Sequence, residues 1–93
     1  MGQEKKMVQI KTILLVDDEE DLRDALAEQF LTTGDFEVDQ AGSARQALLK
    51  AGQRDLDAII LDIGLPDIDG RELCRILRKK NIKCPIIMLA AQD

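Results

Sequence analysis

Short unbroken apolar runs alternate along this chain with stretches in which apolar residues recur every three to four positions. Thr12–Val16 (TILLV) is such a run, as expected of a strand buried on both faces. Leu22, Ala25, Leu26, Gln29 and Phe30 then follow i, i+3, i+4, i+7, i+8 spacing, which predicts a helix with one mostly apolar face. Thr32-Thr33-Gly34 ends it, with Gly34 suited to the position after a helix terminus. Phe36–Ala41 alternates and reads as a more exposed strand at a sheet edge. Ser43 is a good cap for a second helix, whose stripe is Ala44, Ala47, Leu48 and Ala51. DAIILD (Asp57–Asp62) is the third strand, and IGLPDIDG is a turn region with Pro66 and Gly70 as breakers. A third helix from Arg71 to about Lys80 carries Leu73, Ile76 and Leu77, and Pro85 opens a last strand, IIML. Repeated strand–helix–strand units predict an α/β fold: a parallel sheet with helices on both faces.

Ligand sites in such sheets lie at the carboxyl ends of the strands. Asp17 and Asp18 follow strand one, and Asp62 ends strand three. If those strands are neighbours, three carboxylates meet at one rim. Ionised acids packed together repel, and one pKa must rise unless a cation shares the site. An all-oxygen site with room for water suits Mg²⁺, and a backbone carbonyl beyond Asp62 can add a ligand. One carboxylate is then placed to attack a phosphoryl group. Each acid also has a plainer reading. Acids favour the first turn of a helix, Asp18 can simply cap, and Asp62 can cap the loop after it. An EF-hand fails on register, because Gly70 at loop position six puts Leu65 at position one.

Composition narrows this further. Ninety-three residues make one domain, and 45% hydrophobic with 33% charged residues argues against disorder. Phe30 and Phe36 are the only aromatics, so the core is aliphatic. There is no histidine, which excludes Ser–His and Cys–His catalysis. A net charge of −5 disfavours nucleic acid, and the basic residues from Arg71 to Lys83 read as a solvated helix face. Cys74 and Cys84 cannot make a zinc site alone; they read as buried free thiols of a reducing cytosol, hence a cytoplasmic protein. No secretory signal, myristoylation motif or membrane span is present in the sequence.

The segments ILLVDDEEDLR, IILDIGLPDIDGRELCRILR and PIIMLAAQD closely resemble the response regulator receiver domain of bacterial two-component signalling. The resemblance runs from Lys11 onward, dividing the chain into an N-terminal extension (1–10) and a receiver domain (11–93). It implies a flavodoxin-like sheet in the order 2-1-3-4-5. It implies that Asp62 accepts a phosphoryl group from a sensor histidine kinase. Asp17 and Asp18 would bind Mg²⁺, the Gly64 carbonyl would complete the protein ligands, and Pro66 and Gly70 would shape the loop. Such a domain is a phosphoacceptor and not an enzyme with turnover. A haloacid-dehalogenase-type hydrolase would want D-x-D, which Asp62-Ile63-Gly64 is not.

Two departures from the pattern bear on signalling. Ala90 stands where the family carries a Thr or Ser that bonds the phosphoryl oxygen. The sequence ends at Asp93, before the family's last helix–strand–helix segment and its lysine. The expectation is therefore a receiver fold lacking that segment, with strand four an open edge through which the chain self-associates or which marks it as a fragment. A non-switching interaction or assembly domain is the alternative function.

Overall fold

Alternation of strand and helix holds throughout the computed structural model, which describes residues 9–89. The elements are β1 (Lys11–Val16), α1 (Glu20–Thr32), β2 (Phe36–Ala41), α2 (Ala44–Ala51), β3 (Ala58–Asp62), α3 (Gly70–Lys79) and β4 (Ile86–Leu89). The sheet order is β2-β1-β3-β4, and every pairing is parallel. This is the first part of the 2-1-3-4-5 order expected above, with β2 at an edge as its alternation predicts.

β1, β2 and β3 each feed two cores because their side chains alternate between faces. Leu14, Val16, Ile59 and Leu61 point to one face, where Ala44, Ala47 and Ala51 of α2 and Leu73 and Leu77 of α3 cover them. Alanine at three stripe positions lets α2 lie close to the sheet. Ile13 and Leu15 point to the other face, under Leu26, Ala27 and Phe30 of α1. Phe30 meets Phe36 edge-to-face with ring centroids 5.3 Å apart.

Helix ends follow local chemistry. Gly34 takes φ +80 after α1, a conformation costly to any residue with a Cβ. Asn81 takes φ 67 after α3; its N–H reaches the Arg78 carbonyl and that of Ile82 reaches Leu77. These bonds form a Schellman motif, sealed by Ile82 packing on the core.

Two expectations need correction. The buried stripe of α1 is Arg23, Leu26, Ala27 and Phe30, whereas Leu22, Ala25 and Gln29 are exposed. The helix is rotated about one residue from the apolar spacing because a charged side chain, Arg23, heads the inward face. Cys74 and Cys84 are half-buried free thiols and not fully buried. Burial still pushes the Cys84 thiol up, with the nearby Arg78 charge opposing.

β4 is the thinnest part of the fold. Among the described residues it pairs with β3 alone. Ile87, Met88 and Leu89 are 52%, 41% and 40% exposed, an apolar strip beside unpaired backbone. Ala90 lies outside the described residues.

Candidate metal centre

Register brings the acids together. Val16 of β1 lies opposite Leu61 of β3, so the next residues, Asp17 and Asp62, leave the sheet side by side. Asp18 follows Asp17 on the exposed side. One carboxylate oxygen from each of Asp17, Asp18 and Asp62 lies within 4.8 Å of the others.

The three acids differ in setting. Asp17 is 8% exposed, and its N–H donates to the Ala41 carbonyl at 3.1 Å. Its Oδ1 accepts the Glu19 N–H at 2.8 Å, and its carbonyl accepts Arg23 Nη1 at 2.7 Å. Burial, and after it the charges of Asp62 and Asp18, push the Asp17 carboxyl above its ordinary value; the Glu19 N–H and the Arg23 charge oppose this. Asp62 is half-buried and its Oδ1 accepts the Gly64 N–H at 3.3 Å. The loop-capping reading of Asp62 is thus met through one long bond. The N-cap of α1 is Glu19, which makes no side-chain cap bond, so α1 does not use Asp18 as its cap.

This donor set fits a hard divalent cation. All three groups are carboxylates, and their oxygens converge within 4.8 Å of one another, the oxygen-only environment that octahedral Mg²⁺ takes. Gly64 is exposed, two residues past Asp62.

The segment after Asp62 is fastened at both ends. The Gly70 N–H donates to the Ile63 carbonyl at 2.8 Å, and the Ile63 N–H donates to Leu89 of β4 at 3.3 Å. A Cβ on Gly70 would stand 2.6 Å from the Asp62 carbonyl oxygen and 2.7 Å from Ile63 Cα. Only glycine lets α3 start this close to the end of β3. Between these points Leu65 is buried, and Pro66 and Asp67 are exposed.

Asp67 has a role its sequence position did not reveal. Its two carboxylate oxygens accept the N–H groups of Ala44 and Arg45, each at 2.9 Å. Ser43 Oγ accepts Gln46 N–H at 3.2 Å, so the first turn of α2 is capped partly by its own residue and partly by the distant loop. Those two backbone bonds hold the Asp67 carboxyl below its ordinary range. A carboxylate with a depressed folded pKa stabilises the fold above its unfolded pKa, and that contribution is lost as pH falls through the folded value. Asp67→Asn should therefore flatten the acid limb of the stability–pH curve. It should also speed hydrogen exchange at the Ala44 and Arg45 amides; unchanged exchange there would exclude the cap.

The three arginines of the late basic cluster have partners. Arg71 pairs with Asp69 at 3.1 Å, Arg75 pairs with Glu72, and Arg78 Nη1 donates to the carbonyls of Ile82 and Cys84. Among the described residues, no helix is long and apolar enough to cross a membrane.

Known proteins resemble this chain in sequence and fold. The family described as response regulator receiver domain matches residues 13–93. The alkaline phosphatase synthesis transcriptional regulatory protein PhoP of Bacillus subtilis is 41% identical over 83 residues, which are 89% of this chain and 34% of that protein. The transcriptional regulatory protein ResD of the same organism is 39% identical over 80 residues, 86% of this chain and 32% of that one. The chain thus spans about a third of the length of these curated relatives. Among solved structures, the response regulator TrrA of Thermotoga maritima, in complex with Mg²⁺-BeF, superposes with a TM-score of 0.81 at 39% identity. That match covers 90% of this chain and 72% of TrrA. The receiver domain of Francisella response regulator 1452 gives a TM-score of 0.82 at 31% identity, covering 89% and 68%.

Proposed function

The chain belongs to the response regulator receiver domain family, and from that membership we propose that residues 11–93 form a phosphoacceptor unit whose accepting group is Asp62. The observation that carries this is the meeting of Asp17, Asp18 and Asp62 at one rim. Of the three, Asp17 is the most buried and spends an oxygen on its own loop. Asp62 stands at the end of a strand, half-open, with its backbone locked by the Gly70 contact.

An Asp62 oxygen attacks the phosphorus of a phosphohistidine on a sensor kinase. The P–O bond to Asp62 forms as the P–N bond breaks, and the imidazole leaves. Asp17 and Asp18, with Asp62 and the Gly64 carbonyl, would hold Mg²⁺, which would supply positive charge against the phosphoryl oxygens. The loop from Ile63 to Gly70, with Pro66 at its turn, keeps the acceptor in place. The Mg²⁺-BeF complex of TrrA supports this reading. Incubation with Mg²⁺ and a small phosphodonor such as acetyl phosphate should add one phosphoryl group to the intact mass, and a chelator should suppress the gain. No gain in mass with Mg²⁺ present overturns the reading.

The β4 strip favours a second property. Apolar residues exposed beside an unpaired parallel edge promote association, and we infer that the 93-residue chain self-associates there. Sedimentation over a concentration series should show an oligomer that Ile87→Lys dissolves; a monomer at all concentrations excludes it.

A further inference from the structure

The inward stripe of α1 begins with a cation, and that cation is tied to the acid loop. Arg23 Nη1 donates to the Asp17 carbonyl at 2.7 Å, and Nε donates to Gln40 Oε1 at 3.0 Å. Gln40 sits on β2 beside Ala41, whose carbonyl receives the Asp17 N–H. Gly42 comes next, and a Cβ there would stand 3.2 Å from Arg23 Nη1. The guanidinium thus spans the carboxyl ends of β1 and β2 in a space that glycine leaves open.

The carbonyl it grips belongs to the peptide joining Asp17 to Asp18. A peptide unit is planar, so fixing its oxygen fixes the direction in which the chain enters Asp18. Resting on the cation-assisted reading above, we propose that Arg23 is a positioning residue of the metal centre: it sets the Asp17–Asp18 peptide so that both carboxylates serve one divalent cation.

The sign of one measurement separates this role from its rivals. Arg23 is positive and stands near the acids, so its charge alone repels a cation. If charge were its whole effect, Arg23→Gln would tighten cation binding. If it only stabilised the fold, affinity measured on folded protein would not move. Positioning predicts weaker binding, by about tenfold for loss of a group that orients a ligand. Arg23→Lys keeps the charge but lacks the planar fork that reaches two acceptors, so it too should bind less tightly. Gln40→Leu leaves Arg23 in place and removes one of its two anchors; it should weaken binding by a smaller factor.

The probe is Mn²⁺, titrated into the 93-residue chain and its variants and read by electron paramagnetic resonance of the free ion. Circular dichroism confirms the folded fraction of each. Weaker binding in Arg23→Gln and Gln40→Leu supports the proposal. Unchanged or tighter binding overturns it and leaves the phosphoacceptor reading intact. If Arg23→Gln does not fold, Gln40→Leu decides by the same criterion. An unsubstituted chain that binds no Mn²⁺ overturns the cation-assisted reading and the role of Arg23 together.

Discussion

Asp62→Asn should take up no phosphoryl group from a small donor, and it should be more stable than the unsubstituted chain at neutral pH. The first effect is chemical. A carboxylate oxygen attacks phosphorus and leaves a mixed anhydride, whereas a carboxamide is a poor nucleophile with no equivalent product. The second effect is electrostatic. Burial, followed by the charges of Asp62 and Asp18, holds the Asp17 carboxyl above its ordinary value. A carboxyl raised in the folded state binds more protons there than in the unfolded chain. Its effect on stability is therefore unfavourable once pH exceeds the raised value, and it fades below the unfolded one. Removing the Asp62 charge relieves one of the lesser causes of that shift and adds at most about 1 kcal/mol of stability, the upper end for partly solvated charges. Urea unfolding at pH 7 and again near pH 4 checks the sign, since the gain should shrink as Asp17 protonates. Residual Asp62→Asn phosphorylation would move the acceptor elsewhere; a stability loss at pH 7 would mean the acids do not strain the fold.

Gly70→Ala should damage fold and site together. The added Cβ meets main-chain atoms of Asp62 and Ile63 at 2.6 and 2.7 Å, and neither can rotate away as a flexible side chain would. Either α3 backs off or the end of β3 bends. Forced overpacking of this kind costs about 3 kcal/mol, a large share of the stability of a small domain. The bend falls on Asp62, the proposed acceptor, so phosphoryl uptake should drop by more than the loss of folded protein explains. Comparing uptake per folded molecule with the urea midpoint separates the two. A variant of native stability would mean that the close approach at Gly70 is not obligatory.

How much of this was legible in the sequence depended on the range of the interaction. β1 and β3 were readable because a strand covered on both faces must be apolar throughout, and TILLV and AIIL are. The stripe of α2 was readable because its inward residues are all apolar; on α3, Leu73 and Leu77 reach the core as their spacing predicts, but Cys74 and not Ile76 packs beside them. On α1, Leu26 and Phe30 were placed correctly, but the face was set about one residue off because its first inward position is Arg23, which hydrophobic spacing does not count. The acids were visible as candidates, but their meeting depends on β1 lying beside β3, which strand order decides and local pattern does not. Asp67 looked like one more loop acid; its partners, Ala44 and Arg45, lie on another helix, and no local rule connects them. Asp18 and Asp62 each had a capping reading that only the observed bonds could weigh.

The placement of β1 between β2 and β3 has a thermodynamic corollary. The acids that follow β1 and the acid that ends β3 are far apart along the chain, so an unfolded molecule offers no three-oxygen site. A cation bound at that rim binds the native state alone, and mass action then deepens the native well by RT ln(1 + [cation]/Kd), about 2.7 kcal/mol at a hundredfold excess over Kd. The docking of one strand pair is thereby made sensitive to the free cation concentration of its surroundings.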